Sequence, residues 1–296
     1  MRIAILGVGR MGAAVAERLL DQGHSLVVWN RSAGKANDLL QRGATWASTP
    51  YEATSQAEFI LSLLTDAAAI ENTYLGENGA LSGNVGGKLF VEMSTVRPET
   101  SIRLHSRVKA AGAALLECPV GGTVVPAKQG QLFGFVGGEA ADFSRAKPLL
   151  DQLCRRVEHV GAIGAGASMK LAVNLPLLVY WQALSEAILM AKPAALSPER
   201  LMDILADTPG APGVLKYRGS AVIAALNGID QGPAHFNIDS IRKDLRAMTA
   251  EAKAMGYELP VASATMRVFD QAAASGLGDG DGTQLAAWWI ANSEKK

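Results

Sequence analysis

The chain has little cysteine and no excess of charge of either sign. Cys118 and Cys154 are its only cysteines; they form no CxxC pair and have no neighbouring set of histidine ligands. A disulfide framework and a zinc site are therefore disfavoured, and we expect two reduced, mostly buried thiols. Lys plus Arg and Asp plus Glu number 28 each. The net charge thus points neither to a nucleic acid nor to an anionic membrane as partner.

The chain also lacks an uninterrupted apolar run of membrane-spanning length. The apolar stretch at 171–191 is broken by five residues that favour a buried helix over a membrane span. These residues are Asn174, Pro176, Gln182, Ser185 and Glu186. No secretory signal pattern precedes the first strand pattern, so the expected location is the cytoplasm. With 296 residues, 49% of them apolar and 19% charged, a folded protein of two domains is expected.

Short β-rich runs alternate with helical patterns up to about residue 161. The predicted strands are 2–6, 25–29, 59–63, 88–93, 114–118, 133–136 and 156–160. This alternation predicts an α/β fold with a mainly parallel sheet. After Gly166 only long helical segments follow, and the Gly- and Asp-rich run at 276–282 is expected to be an exposed loop. We predict an α/β domain at 1–162, a long inter-domain helix at 163–192 and an all-helical domain at 193–296.

A glycine motif opens the chain. Gly7, Gly9 and Gly12 form GxGxxG between the first strand and the first helix. Gly7 permits a tight turn, Gly9 lets backbone amides approach a pyrophosphate, and Gly12 allows close helix–strand packing. A glycine-rich turn without a ligand is the alternative. The strand–loop–helix setting favours a Rossmann-like dinucleotide-binding domain.

The end of the second predicted strand distinguishes the two nicotinamide cofactors. An acidic residue there would hold the ribose diol of NAD, but the sequence is Asn30, Arg31, Ser32. Arg31 can pair with a 2′-phosphate through its forked donors, with help from Asn30 and Ser32, so NADP(H) is the predicted cofactor. The alternative for Arg31 is an ordinary solvated charge.

Five segments together resemble a known family. They are ILGVGRMGAAVAERLLDQGH at 5–24, EMSTVRP at 92–98, CPVGGTVVPAKQGQL at 118–132, GAGASMKLAVN at 164–174, and Phe236 followed by Lys243-Asp244-Leu245. In order and spacing they resemble the β-hydroxyacid dehydrogenase family, which includes 3-hydroxyisobutyrate and tartronate semialdehyde dehydrogenases. The resemblance covers most of the chain. It implies a Rossmann-like domain, a long inter-domain helix and a helical domain that commonly packs against a second subunit.

The resemblance also implies roles for individual residues. Leu64, Thr65, Ser94 and Thr95 follow predicted strands and would lie beside the ribose and nicotinamide, although Ser94 and Thr95 could instead cap a helix that begins near Pro98. The other residues that the resemblance assigns to the cofactor are Arg10, Met11 and Lys243. Those assigned to the substrate are Gly121, Gly122, Thr123, Asn174, Phe236 and Asp244.

Lys170 is the predicted general acid and base. It lies four residues before Asn174, so both side chains project from one face of a helix. Hydride attack on a carbonyl makes an alkoxide that needs a proton, and in this family the matching lysine supplies it. Partial burial near a cationic nicotinamide would lower the pKa of this lysine towards the working range. The alternative is a structural lysine whose ammonium reaches solvent at a helix start.

The chain departs from the family pattern at Gly121, where a serine is usual. Gly121 and Gly122 keep a backbone surface that can bind a carboxylate, and Thr123 could replace the missing hydroxyl. A simple turn is the alternative for these residues. The identity of the acid therefore stays open at this point.

The sequence thus predicts an NADP(H)-dependent oxidoreductase. The expected reaction is hydride transfer to or from a small β-hydroxyacid or its semialdehyde or keto acid, in a homodimer or homotetramer without nucleic acid or membrane partners. One alternative is imine-reductase-like activity on the same scaffold, although imine reductases typically lack this lysine. The other is a non-catalytic NADP-binding regulator, which retention of Lys170, Asn174 and Lys243 disfavours.

Overall fold

The computed structural model of the chain describes residues 1–230 and 232–293. Two units separate within it, Met1–Leu171 and Ala172–Lys296. Their boundary falls inside the long helix predicted from the sequence. The finer division at residues 162 and 192 stays a prediction.

The strands of the first unit lie close to the predicted runs. They are β1 (Arg2–Leu6), β2 (Ser25–Trp29), β3 (Thr45–Trp46), β4 (Phe59–Ser62), β5 (Leu89–Glu92), β6 (Ala114–Glu117), β7 (Val120–Gly121), β8 (Leu132–Gly137) and β9 (Cys154–Gly161). The first two predictions are confirmed residue for residue, and the ends of the others differ by at most two residues. The two-residue strands β3 and β7 were not predicted because so short a run carries no periodicity.

The sheet has the strand order β3-β2-β1-β4-β5-β6-β8-β7, with β9 paired to β8. Strands β1 to β6 pair in parallel, and β8 runs antiparallel to β6 and β7. The predicted α/β class with a mainly parallel sheet is therefore confirmed. Strand order reverses between β1 and β4, and ligands of open α/β sheets bind at the carboxyl ends of the strands at such a point.

Helices connect the strands of this unit. They are α1 (Arg10–Asp21), α2 (Asn37–Gln41), α3 (Pro50–Ser55), α4 (Ala67–Leu75), α5 (Pro98–Ala110), α6 (Val124–Lys128) and α7 (Ala140–Leu153). Both faces of the sheet are buried: Ile3 and Ile5 of β1 belong to one apolar core, whereas Ala4 and Leu6 belong to the other. Burial on both faces explains why the parallel strands are continuous apolar runs.

Long helices make up most of the remaining chain. They are α8 (Ala165–Met190), α9 (Pro198–Ala206), α10 (Gly213–Leu226), α11 (Ile238–Ala254), α12 (Pro260–Ala272) and α13 (Leu285–Ser293). Within the described part of this unit the only β-type pairing is an isolated bridge between Asn237 and Asp281. The predicted all-helical character is therefore confirmed for these residues.

Helix α8 is only partly buried, contrary to the buried helix expected. Leu178 and Leu184 are buried, but Val173 is 37% exposed and Met190 is 84% exposed. Among the described residues it is the one helix long and apolar enough to cross a bilayer. Length and composition of this kind are shared by core helices, and no membrane assignment follows from them.

The glycine- and aspartate-rich run at 276–282 is exposed only in part: Gly276 and Asp279 are exposed, whereas Asp281 and Gly282 are buried. Asp281 is 7% exposed, pairs with Arg218 at 2.6 Å and accepts N–H groups from His235 and Thr283 at 2.8 and 3.0 Å. Burial alone would raise the pKa of Asp281, but the Thr283 amide, Arg218 and the other donors together hold the pKa below its usual range. The exposed-loop prediction was wrong at the end of the run, because composition does not reveal a buried ion pair.

The two cysteines are free and buried, as expected. No cluster of three or more potential metal ligands occurs among the described residues. Burial raises the pKa of the Cys118 thiol well above its ordinary value, so that thiol is inert at neutral pH.

Candidate functional site

The three glycines of the motif differ in the space that surrounds them. Gly7 adopts φ +97°, and a Cβ there would overlap the carbonyl oxygen of Leu63. A Cβ on Gly12 would overlap the carbonyl oxygen of Gly7. Gly9, in contrast, has nothing within 4 Å of an added Cβ. The fold itself requires Gly7 and Gly12, whereas Gly9 leaves open space that a cofactor can occupy.

The start of helix α1 suits a phosphate. Its N-cap is Gly9, and no side chain caps it. The positive end of a helix dipole and the amides of its first turn favour an anion at such a terminus. These features fit the pyrophosphate of a dinucleotide.

The loop after β2 holds the glycine loop in place. The Val8 amide donates to Oδ1 of Asn30 at 3.1 Å, and Nδ2 of Asn30 donates to the carbonyl oxygen of Ser32 at 3.0 Å. Arg31 and Ser32 are exposed beside it. Asn30 thus braces the loop from which Arg31 projects, which sequence reasoning did not foresee.

The loops after β4 and β5 are joined to each other. The Leu64 amide donates to Oγ of Ser94 at 2.7 Å. Helix α5 has Arg97 as its N-cap with no side-chain cap bond, so the alternative of Ser94 and Thr95 as helix caps was wrong. The structure therefore brings these two predicted cofactor loops together at the carboxyl end of the sheet.

A buried carboxyl that sequence reasoning missed lies beneath these loops. Glu92 is 1% exposed; its Oε1 accepts the Ser94 amide at 2.7 Å, and its Oε2 accepts the hydroxyl of Ser62. The Ser62 hydroxyl is also bonded to the hydroxyl of Tyr74 at 2.6 Å. Burial raises the pKa of Glu92 to about 7. The available sequence signal was a charged residue closing an apolar strand, since a buried carboxyl needs dedicated partners.

A second missed carboxyl holds the start of α8. Glu117, 1% exposed, accepts the amides of Gly164 and Gly166 on one oxygen at 2.7 Å each. A Cβ on Gly166 would lie 2.5 Å from the Phe135 carbonyl oxygen and 3.1 Å from this carboxyl oxygen. Burial raises the pKa of Glu117, and the hydrogen bonds from the Gly164 and Gly166 amides oppose that rise. This carboxyl therefore sets where the helix that carries Lys170 begins.

Lys170 lies in the second turn of α8 and is only 6% exposed. Lysine is almost never this deeply buried without a partner, and Lys170 does interact with other groups of the protein. An ordinary solvated lysine would have a much larger exposed fraction. The burial disfavours the alternative of a structural lysine reaching solvent.

The predicted acid-binding residues separate into two kinds. A Cβ added to Gly121, in β7, would meet its nearest neighbours at an ordinary 3.8 Å. Gly122 has φ +125°, and a Cβ there would lie 2.7 Å from Leu132. Thr123 is the N-cap of α6, but its side chain makes no capping bond. The fold thus requires glycine at 122 and does not require it at 121.

The second unit brings together three of its predicted site residues. Nδ2 of Asn174 donates to Asp244 at 3.3 Å, and Nζ of Lys243 pairs with Asp244 at 3.0 Å. Asp244 is 2% exposed. Phe236 is partly buried, and its carbonyl oxygen accepts the Gly282 amide at 3.0 Å. The buried aspartate therefore orients both the amide and the lysine.

The fold and the glycine loop define a class of protein. A doubly wound parallel sheet with an open, uncapped glycine loop at its switch point is a dinucleotide-binding domain. In the same unit, the deep burial of Lys170 marks it as a candidate for acid–base chemistry.

Two family models match the chain. Residues 2–161 match the NAD binding domain of 6-phosphogluconate dehydrogenase, and residues 164–289 match the NAD-binding domain of NADP-dependent 3-hydroxyisobutyrate dehydrogenase. Glyoxylate/succinic semialdehyde reductase 1 of Arabidopsis thaliana is 33% identical over 281 residues, which are 95% of this chain and 96% of that protein.

Solved structures are similar over nearly the full length of the chain. The crystal structure of 3-hydroxyisobutyrate dehydrogenase from Salmonella typhimurium has a TM-score of 0.86 at 25% identity and covers 97% of this chain and 99% of its own. The structure of Psf3 in complex with NADP+ and 2-OPP has a TM-score of 0.86 at 26% identity. The match covers 98% of this chain and 99% of that chain.

The chain belongs to the β-hydroxyacid dehydrogenase family. It is an oxidoreductase of the dehydrogenase and reductase class that acts on hydroxy acids or semialdehydes, and NADP(H) is supported as its cofactor. The family resemblance, the fold class and the enzyme class predicted from the sequence are confirmed.

The glycine motif can be tested with two single substitutions. Gly12→Ala should lower the free energy of unfolding by at least about 2–3 kcal/mol, because its Cβ would overlap the Gly7 carbonyl oxygen. Gly9→Ala should leave stability within about 0.5 kcal/mol and weaken NADPH binding at least about tenfold, because the methyl group fills open space at the loop. Urea unfolding and fluorescence titration measure both effects. An equally destabilised Gly9→Ala would contradict the assignment of that space to the cofactor.

Proposed function

We propose that the chain catalyses reversible hydride transfer between NADP(H) and a small β-hydroxyacid or its semialdehyde or keto acid, with Lys170 as general acid and base. The observation that carries the proposal is the burial of Lys170, 6% exposed, in the second turn of a helix whose start is held by Glu117. Asn174 shares its helix face one turn later.

The proposed chemistry divides between the cofactor and the protein. NADP(H), when bound, supplies or accepts the hydride. Lys170 gives a proton to the carbonyl oxygen during reduction and takes it back from the hydroxyl during oxidation. Asn174, itself held by Asp244, orients the substrate oxygen, and Phe236 forms an apolar wall. Residues 121–123 bind the carboxylate through backbone amides.

Replacing Lys170 tests the acid–base role. Lys170→Met keeps a similar apolar volume without the ammonium, so kcat should fall by about 10²–10⁴-fold. The dissociation constant of NADPH should stay within about twofold, because Lys170 acts on the substrate oxygen. Absorbance of the reduced nicotinamide, followed with a panel of small semialdehydes and hydroxyacids, measures turnover.

The control for this substitution is Lys147→Met, an exposed lysine of α7 paired with Asp151. It should leave kcat unchanged. Full activity of Lys170→Met would remove the proposed mechanism. NADPH binding by the unmodified protein without turnover of any compound in the panel would instead favour a regulator.

We also propose that Arg31 gives the preference for NADP over NAD. It is exposed beside Asn30 at the end of β2, and no carboxylate occupies positions 30–32 to repel a phosphate. Asn30 and Ser32 assist it. The remaining proposed cofactor contacts are Gly7, Gly9, Arg10, Met11, Gly12, Leu64, Thr65, Ser94, Thr95 and Lys243.

Arg31→Ala should weaken NADPH binding at least about tenfold and change NADH binding by less than about twofold, since only the former carries the 2′-phosphate. Titration of both cofactors measures the preference. Arg103→Ala, an exposed arginine of α5, is the control and should alter neither constant. An unchanged ratio of the two constants in Arg31→Ala would contradict this role.

A substitution at Gly121, where a side chain has room, tests the proposed acid-binding surface. Gly121→Ser should fold normally, because its Cβ meets ordinary contacts at 3.8 Å. Its added hydroxyl should lower KM for carboxylate substrates by up to about tenfold, the value of one hydrogen bond. Gly122→Ser is the comparison and should be destabilised by its φ of +125°. Unchanged KM values for every acid tested with Gly121→Ser would place the carboxylate elsewhere.

A homodimer or homotetramer in the cytoplasm is the proposed state. Its support is the exposure of large apolar side chains in the second unit: Met190 is 84% exposed, Tyr217 83% and Tyr257 66%. Tyrosine and methionine are among the residues enriched at protein–protein interfaces. Sedimentation velocity on the purified chain distinguishes these assemblies from a monomer.

A further inference from the structure

We propose that Glu92 is a positioning residue that locks the two cofactor loops, residues 63–66 and 93–97, into one arrangement. This inference rests on the proposed placement of those loops beside the ribose and nicotinamide. It does not depend on Lys170. Glu92 itself does not contact the cofactor in this proposal, since it lies beneath the loops and is 1% exposed.

Hydrogen bonds around Glu92 close a circuit through both loops. Ser62 ends β4, Glu92 ends β5, and the two residues are partners in the parallel register. Oε2 of Glu92 accepts the Ser62 hydroxyl, and Oε1 accepts the Ser94 amide at 2.7 Å. The Ser94 hydroxyl then accepts the Leu64 amide at 2.7 Å, which returns the circuit to the loop after β4. Neither loop can shift without breaking one of these bonds.

The carboxyl accepts hydrogen bonds from both sides, from the Ser62 hydroxyl at the end of β4 and from the Ser94 amide after β5. Without it, the Ser94 amide and the Ser62 hydroxyl would lose a common acceptor inside an apolar core. An unsatisfied buried donor is unfavourable, so the loops would move to find other partners. The closed circuit thus gives a physical reason for placing a carboxyl at the end of an otherwise apolar strand.

Two titratable groups face Glu92 from neighbouring elements. Tyr74 of α4 is fully buried, and its hydroxyl is bonded to the Ser62 hydroxyl at 2.6 Å. Glu117, on β6, is the register partner of Glu92. Burial, followed by the charge of Glu92, raises the pKa of Tyr74 well above its ordinary value, so Tyr74 stays a neutral donor. Burial, with a smaller effect of Glu117, raises the pKa of Glu92 to about 7. Glu92 therefore changes charge near neutral pH.

The charge of Glu92 should affect how firmly the loops are held. Above about pH 7 the carboxylate accepts charge-assisted hydrogen bonds, which are stronger than neutral ones. Below that pH the protonated carboxyl holds the Ser94 amide less strongly. Cofactor affinity should therefore fall as pH falls through this range.

Titration of NADPH by fluorescence from about pH 5.5 to about pH 8.5 tests the proposal in the intact protein. Glu92→Gln keeps an acceptor for Ser94 and a polar group for Ser62, so affinity at pH 7 should stay within about threefold. It should lack the part of the pH dependence that comes from Glu92. The cofactor 2′-phosphate titrates in the same range, and comparison with Glu92→Gln separates its contribution.

Glu92→Leu removes the shared acceptor and should weaken NADPH binding at least about tenfold. If that variant does not fold, Ser62→Ala decides: it removes a donor that lowers the pKa of Glu92, so the inflection in affinity should move to higher pH. Thr54→Val is the control, a buried hydroxyl of α3 outside the circuit, and should leave the profile unchanged.

Two results would overturn the proposal: a Glu92→Gln profile that superposes on the unmodified protein, or a folded Glu92→Leu that binds NADPH with unchanged affinity. Failure of the proposed function is distinguishable. Active Lys170→Met together with the expected Glu92 profiles would reject the acid–base role and leave the positioning role of Glu92 intact.

Discussion

Close approach of backbone to backbone at the carboxyl end of the sheet is the constraint on which the site depends. The glycine loop after β1 lies so close to the end of β4 that a Cβ at Gly7 would overlap the Leu63 carbonyl oxygen, and α1 lies so close to the loop that a Cβ at Gly12 would overlap the Gly7 carbonyl oxygen. Such packing requires that the parallel strands end at the same edge of the sheet and that each loop turns directly after its strand. The same tight loop leaves Gly9 facing open space, so the packing that stabilises the turn also creates room for a phosphate beside an uncapped helix.

Two buried carboxyls extend this constraint across the sheet. Glu92 and Glu117 are register partners at the ends of β5 and β6. Glu92 accepts an amide of the loop after its own strand, and Glu117 accepts two amides at the start of α8. Burying a carboxyl is unfavourable unless its oxygens are bonded, so such residues hold one geometry more strictly than apolar packing does. One carboxyl holds loops proposed to touch the cofactor, and the other holds the start of the helix that carries Lys170.

Much of this architecture could be predicted from the sequence, and the misses share a physical cause. After a polar first residue the runs of β1 and β2 are apolar, and Gly7 and Asn30 follow them directly, so their bounds were predicted to the residue. Glu92, Glu117 and Asp281 were missed because a charged letter is ordinarily read as solvated. Whether a charge is buried depends on partners distant in sequence: Arg218 lies 63 residues from Asp281, and Gly164 lies 47 residues from Glu117. Periodicity within a short window carries no information on such pairs.

The adjacent glycines at 121 and 122 separate what the fold demands from what the substrate demands. Gly122 has a backbone conformation and a neighbour, Leu132, that exclude a side chain, so its identity is explained by the fold alone. Gly121 has neither restriction, since an added Cβ there would meet its neighbours at an ordinary 3.8 Å. The fold therefore does not account for the missing side chain at 121. Under the proposed acid-binding role of this segment, the difference from the family's usual serine concerns the substrate contacts.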